Sequence, residues 1–174
     1  MIRGSATGSA ASVLVQGTCV LIGRTAVLIR GRPGSGKSSL AAGLLHQTCS
    51  RRCIRLVADD AVHLRPASGR LIAVCPAPIS GLLELRGVGP VAIAETDRAV
   101  VSAVVDLVAA DRVDRLPEPD FTRLLCIELP RLALPERGQL NAALLLAWFD
   151  RLAPGQGSVR HLAGAASLHH SIRA

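Results

Sequence analysis

Aromatic side chains are nearly missing from this sequence: there is no Tyr, one Trp and two Phe, 2% of 174 residues. A core without them must be built from Leu, Val, Ile and Ala. Their scarcity also argues against the stacking platforms on which proteins lay single-stranded nucleic acid. No uninterrupted apolar run approaches the roughly 18 residues that a membrane span requires. The most apolar early stretch, Val13 to Ile22, is broken by Gln16, Gly17 and Thr18 and preceded only by Arg3, which makes a poor secretory signal. These absences lead to the expectation of a cytoplasmic protein without a membrane partner. Cysteine is sparse and odd in number: Cys19, Cys49, Cys53, Cys75 and Cys126 include no C-x-x-C pair. Cys49 and Cys53 with His46 match no standard zinc spacing, so the thiols read as reduced and structural.

Lysine is the rarest cation. Lys and Arg together number 20, yet Lys37 is the sole lysine. The formal net charge is +7. Apart from Arg51, Arg52 and Arg55 the arginines are scattered, which suits a solvated surface or an acidic or phosphorylated ligand better than a nucleic acid. What the chain has in quantity is apolar residue, 49% of the total, enough to exclude wholesale disorder and to bury one core. The length suits a single domain, expected over 12–152, between an arm at 1–11 rich in Gly, Ser, Ala and Thr and a tail at 153–174.

The lone lysine lies in Gly31-Arg32-Pro33-Gly34-Ser35-Gly36-Lys37-Ser38, which fits G-x-x-x-x-G-K-[ST], the phosphate-binding P-loop. Glycines let successive backbone N–H groups turn inward toward phosphate oxygens. Lys37 can reach the β- and γ-phosphates, and the Ser38 hydroxyl can ligate Mg²⁺. A compact ammonium fits inside such a loop where a planar guanidinium does not. The context agrees: Thr25 to Ile29 reads as a buried strand, and Ser39 to His46 reads as a helix whose N-terminus adds to the anion site.

Upstream, Val13 to Val15 and Cys19 to Ile22 read as strand, and Gly23-Arg24 suits a hairpin turn. The P-loop strand therefore has an antiparallel partner before it, unlike the first strand of an all-parallel sheet. Downstream of a loop at Gln47 to Arg52, Ile54 to Ala58 reads as a strand ending in Asp59-Asp60. Adjacent carboxylates at a strand end point to different sides, so one can hold Mg²⁺ or its water shell while the other faces an attacking hydroxyl. A second hairpin is expected from Ala61 to Val74 with its turn at Pro66 to Gly69. Leu82 to Arg86 reads as a strand with Glu84 and Arg86 on one face, running into Gly87-Val88-Gly89-Pro90. Ala99 to Leu107 is a buried strand, Ala110 to Asp120 a loop, and Arg123 to Leu129 and Arg131 to Leu134 short strands parted by Pro130. Gln139 to Leu152 carries Leu, Ala and Trp148 at helical spacing.

Taken together, the P-loop behind a hairpin, the Val57-Ala58-Asp59-Asp60 strand end and Glu84-Leu85-Arg86-Gly87-Val88-Gly89 resemble the catalytic domain of the HPr kinase/phosphorylase family, in its short form without an N-terminal domain. The resemblance covers about residues 12 to 93. It implies an α/β fold in which a P-loop lies on a mixed β-sheet with flanking helices, shared with phosphoenolpyruvate carboxykinase. It implies transfer of phosphate from ATP, with Mg²⁺, to a serine of the phosphocarrier protein HPr or a related carrier, a reverse phosphorolysis, and a homo-oligomer, usually a hexamer. By position, Gly31, Gly34, Ser35, Gly36, Lys37, Ser38 and Ser39 bind the nucleotide's phosphates. Asp59, Asp60 and Arg86 are catalytic candidates, and Ser38, Asp60 and Glu84 are metal-side candidates. Where the family has a histidine before the P-loop strand this chain has Gln16, ahead of Thr18. Pro90 replaces an aliphatic residue, and the nearest counterpart of the family's basic loop is Glu136-Arg137-Gly138-Gln139.

Two other functions use the same P-loop. A small-metabolite kinase of the shikimate or gluconate type needs an arginine-rich lid between later helices, whereas the region after residue 110 reads as strands. A non-catalytic nucleotide-dependent regulator needs no base at all.

Overall fold

The computed structural model describes residues 12–47, 52–76 and 81–152. The expected arm and tail, and Cys49 and Arg51 of the loop before β4, lie outside the described residues. Within them a nine-stranded mixed sheet runs in the order β1-β5-β6-β9-β3-β2-β4, with β11 and then β10 branching from β9. The strands are β1 (Val13–Gln16), β2 (Thr18–Ile22), β3 (Thr25–Arg30), β4 (Ile54–Ala58), β5 (Ala61–Ala67), β6 (Arg70–Val74), β9 (Arg98–Val108), β10 (Asp120–Leu124) and β11 (Ile127–Pro135). A separate hairpin pairs β7 (Leu82–Leu85) with β8 (Gly89–Ala92). Two α-helices, α1 (Lys37–His46) and α2 (Asn141–Leu152), lie against the sheet.

The longest strand, β9, is the centre. One of its edges pairs with β6 through Arg98 to Val101 and then with β11 through Val104 to Val108; the other pairs in parallel with β3. A strand paired on both edges and covered on both faces is mostly apolar, which is why its sequence shows valine runs interrupted only by Ser102 and Asp106 after its first residue. Val27 and Ile29 of β3 face Leu40, Leu44 and Leu145 of the helices. Ala26 and Leu28 face a second core with Val62, Leu64, Leu71 and Val101. Leu and Val thus fill both layers with almost no aromatic contribution.

One topological detail places the chemistry. β2 lies between β3 and β4 and is antiparallel to both. The carboxyl ends of β3 and β4, which lead into the P-loop and into Asp59, therefore emerge at the same edge of the sheet, where β2 begins.

Several expected boundaries move. The second hairpin turns at Ser68-Gly69, both at positive φ, and Pro66 sits within β5. Pro130 lies inside β11 rather than between strands. It faces Phe121 of β10, one residue before β11 starts to pair with β9 at Arg131, so its missing N–H costs no bond to β9. The expected strand from Arg123 to Leu129 is instead a hairpin turn at Leu125 and Cys126, with φ of 46° and 65°. Residues without glycine's freedom gave no turn signal there. After a 3-10 turn at Ala110–Arg112 and an irregular stretch, the described region up to α2 forms β10 and β11 and no α-helix, which removes the place for a helical lid. No helix is long and apolar enough to cross a membrane among the described residues.

Candidate phosphate-transfer site

At this common edge lies an open cleft of about 940 Å³. Its floor is the loop from Gly31 to Gly36, bent by positive φ at Gly34 (77°) and Gly36 (99°). Gly36 is also the N-cap of α1, has no side-chain cap, and is followed by a first turn without an acidic residue. The N–H groups of Lys37, Ser38 and Ser39 are thus left without intrahelical partners, the arrangement that anions use at helix N-termini. Gly31 and Ser35 form the base of the loop: a Cβ on Gly31 would lie 2.6 Å from Ser35 Oγ. Ser35 Oγ is itself buried without a partner. Lys37 Nζ donates to the carbonyls of Gly31 (3.1 Å) and Arg32 (3.3 Å), so its ammonium is folded across the loop mouth.

The two adjacent carboxylates separate sharply. Asp59 is buried and accepts from Thr18 Oγ1 at 2.6 Å, from Ser38 Oγ at 3.2 and 3.1 Å, and from the Glu84 N–H at 3.3 Å. Asp60 takes a left-handed φ of 60° and is exposed in the cleft. The corner is pinned by Gly17 N–H to the Asp60 carbonyl, 3.1 Å. Glu84 and Arg86, two residues apart on and just beyond β7, line the cleft with Asp60, and Gln16 stands beside them. Gly34, Gly36, Lys37, Ser38 and Ser39 line the same cleft. Sequence position thus brings the expected site residues together, with Asp59 behind the wall rather than on it.

The sequence reading left one functional element out of the site. The segment between β11 and α2 lies over the outside of the P-loop. The Arg137 N–H donates to the Ser35 carbonyl and its Nε to the Gly34 carbonyl, both at 2.9 Å. Glu136 binds Arg32 with two hydrogen bonds, 2.7 and 2.6 Å. The hydrogen bonds and charge of Arg32 hold the Glu136 carboxyl below its ordinary pKa. Arg137, Gly138, Gln139 and Asn141 join the cleft wall. This is the Glu136-Arg137-Gly138-Gln139 segment noted in the sequence; its positive φ at Arg137, 55°, had no local signal. Cys19 is fully buried, and burial pushes its thiol far up, so it has no nucleophilic role. Among the described residues no three or more His, Cys, Asp or Glu side chains gather into a metal cluster.

A mixed sheet that brings a glycine loop, a helix N-terminus and a carboxylate corner to one cleft defines a P-loop α/β domain. The family model for the HPr Serine kinase C-terminal domain matches residues 8–146, and the chain belongs to that family. Among curated relatives, it is 37% identical over 149 residues to an HPr kinase/phosphorylase of Geobacillus thermodenitrificans, covering 79% of this chain and 47% of that protein. It is 37% identical over 132 residues to an HPr kinase/phosphorylase of Bordetella pertussis, covering 69% of this chain and 41% of that protein. The chain thus spans less than half the length of these relatives. The fold is similar to the solved structure of an Hpr(Ser) kinase/phosphatase from Coxiella burnetii, with a TM-score of 0.68, 24% identity, and coverage of 80% of this chain and 97% of that one.

Proposed function

We propose that this chain transfers the terminal phosphate of ATP to a serine hydroxyl of HPr or a related phosphocarrier protein, with Mg²⁺, in the cytoplasm. The observation that carries the reading is the separation of Asp59 from Asp60: one carboxylate is committed to the P-loop serine, the other is free in the cleft. Phosphotransfer needs these two groups, because it is driven by charge stabilisation and by positioning of the attacking hydroxyl.

The residues present fit the groups the reaction requires. Ser38, Asp59 and Glu84 supply hard oxygen donors of the kind Mg²⁺ takes, and the orphan Ser35 hydroxyl marks a loop with unused polar capacity. Bound there, Mg²⁺ would offset charge on the β- and γ-phosphates. The free N–H groups of Lys37, Ser38 and Ser39 bind phosphate oxygens, and Lys37 Nζ moves from its two carbonyls to the transferring phosphate. Asp60 accepts the proton of the attacking hydroxyl. Arg86 and Arg137 line the opening, Arg137 with its Nε already bound to the Gly34 carbonyl, and counter charge on the phosphoryl oxygens. The part of the cleft floored by Leu40, Gly43 and Ala142 is left for the nucleoside. Among the described residues no histidine lines the cleft, so in this reading the proton is handled by the carboxylate alone.

Incubation with MgATP followed by mass spectrometry of HPr, of small metabolites and of the protein alone tests the reading. Phosphoserine on HPr supports it. A phosphorylated metabolite in its place identifies a small-molecule kinase, and nucleotide binding without any transfer identifies a regulator. Phosphate added to phosphorylated HPr tests the reverse step through release of pyrophosphate. Assembly into a hexamer belongs to the same reading and is measured by light scattering.

A further inference from the structure

The Asp59 carboxylate owes its orientation to a residue on a different strand. Thr18 is fully buried, and its hydroxyl donates to Asp59 Oδ1 at 2.6 Å, the shortest of the four contacts that Asp59 receives. A hydroxyl–carboxylate bond of that length is charge-assisted and among the stronger kinds. The contact depends on a register shift. Along β2 and β4, Ile22 pairs with Ile54, Leu21 with Arg55 and Val20 with Leu56, but Cys19 pairs with Ala58. Val57 is skipped. Continued without that bulge, the register would set Thr18 opposite Ala58 and Gly17 opposite Asp59. With it, Thr18 meets Asp59 and Gly17 meets Asp60, whose carbonyl accepts the Gly17 N–H. A one-residue shift of register moves every later side chain to the other face, and bulges of this kind re-aim side chains beside active sites.

We infer that Thr18 is a positioning residue for the metal side of the site: its hydroxyl fixes Asp59 against Ser38 and so sets how strongly nucleotide binding depends on Mg²⁺. The inference rests on the proposed kinase reading and deepens it. Thr18 touches neither the cleft nor any phosphate; it acts through Asp59. Outer-shell hydrogen bonds to ligating carboxylates are worth about 10- to 100-fold in metal affinity.

The test is titration calorimetry of the whole chain with a non-hydrolysable ATP analogue, at a series of Mg²⁺ concentrations and in EDTA. Wild type, Thr18→Val and Thr18→Ser are compared, with circular dichroism to establish folding. Thr18→Val keeps the volume and removes the hydroxyl. It is expected to raise the Mg²⁺ needed for half-maximal binding about 10- to 100-fold and to leave binding in EDTA within about threefold. Thr18→Ser restores the hydroxyl and is expected to restore the wild-type Mg²⁺ requirement. An unchanged Mg²⁺ requirement in folded Thr18→Val overturns the inference. So does an equal loss of affinity with and without Mg²⁺, which is the mark of general damage. If Thr18→Val does not fold, Thr18→Cys, a weaker donor of similar size, is compared with Thr18→Ser by the same criterion. A wild type whose nucleotide affinity ignores Mg²⁺ overturns the kinase reading itself, a result visible before any variant is compared.

Discussion

The Arg137 N–H binds the Ser35 carbonyl at 2.9 Å across more than a hundred residues of chain. In a planar trans peptide the C=O and the next N–H point in opposite directions. Drawing the Ser35 carbonyl outward therefore aims the Gly36 N–H away from the strap formed by the segment between β11 and α2, and into the loop. The Arg137 side chain does the same for the Gly34 carbonyl. Arg137 thus shapes the phosphate cradle from behind, at the expense of its own left-handed backbone, a conformation that non-glycine residues keep only where surroundings impose it.

Arg137→Ala removes the side-chain bond and keeps the backbone one. Nucleotide affinity is expected to fall about 3- to 10-fold, the size of one partly exposed hydrogen bond, with the Mg²⁺ requirement unchanged. Arg32→Ala breaks only the exposed pair with Glu136, so its melting temperature is expected to match wild type. Fluorescence titration with a nucleotide analogue and thermal melts check both. Loss of folding in Arg137→Ala would show the strap to be structural glue rather than a shaper of the loop.

Lys37 allows a chemical test because it is the sole lysine. Its ammonium spans the Gly31 and Arg32 carbonyls and packs into no apolar core. Lys37→Ala is expected to keep the wild-type circular dichroism spectrum and to lose productive phosphate binding. An amine-selective reagent is expected to label Lys37 and the chain's amino terminus, and ATP or inorganic phosphate is expected to protect Lys37. Equal labelling with and without ligand would refute the site.

Asp106 supports the sheet just behind the P-loop. It pairs with Arg30 at 2.7 Å and with Arg131 at 2.5 Å, and Arg131 continues to Asp120. Burial pushes the Asp106 carboxyl up, but the hydrogen bonds and charges of Arg30 and Arg131 outweigh it, and its pKa falls below the ordinary value. A carboxyl with a lowered native pKa contributes stability above its unfolded value, about 3.9. That contribution is lost as pH falls through the native value. Stability due to this group is thus constant from about pH 5 to 8 and declines below about pH 4. Asp106→Asn leaves two guanidinium groups short of a partner and is expected to cost about 2 kcal/mol at neutral pH. It is also expected to flatten the acid side of the stability curve. Urea unfolding from pH 3 to 8 measures both; an acid side as steep as wild type would show that other carboxylates govern it.

The parts of this site that the sequence discloses are those whose chemistry needs a fixed local spacing. The P-loop, the strand before it and the Asp59-Asp60 strand end are of this kind, because glycine, lysine and serine must follow in order along one turn. The β2–β4 bulge is not, since no glycine or proline marks it, yet it decides which residue faces Asp59. Nor is β8, where Pro90 occupies a strand that pairs, among the described residues, only with β7. Arg137 reaches the loop from a hundred residues away through its own N–H and its Nε, both to backbone carbonyls, so nothing in the local sequence on either side marks the contact. Local patterns write the catalytic loop; long-range register writes its surroundings.

The separation of Asp59 from Asp60 carries the last prediction. Sequence position alone makes them equivalent, and the family resemblance gives both as catalytic candidates, with Asp60 also on the metal side. In the proposed reading Asp59 takes the metal side and Asp60 the base. Asp59 is buried, bound to the P-loop serine and filled by further donors from Thr18 and Glu84. Asp60 stands in the cleft beside Gln16 and Arg86. Asp59→Asn replaces one acceptor oxygen with a donor facing the Ser38 and Thr18 hydroxyls. It is expected to weaken Mg²⁺-dependent nucleotide binding at least about 10-fold and to lower melting temperature. Asp60→Asn changes an exposed group and is expected to leave folding and ATP affinity near wild type. Its phosphotransfer rate is expected to fall about 10²- to 10⁴-fold, the usual weight of a general base. Calorimetric titration and single-turnover transfer of labelled phosphate separate the two effects. If Asp60→Asn weakens Mg²⁺-dependent binding while Asp59→Asn does not, the roles are reversed. If both variants transfer at wild-type rates, the corner is a structural strand end and the kinase reading loses its base.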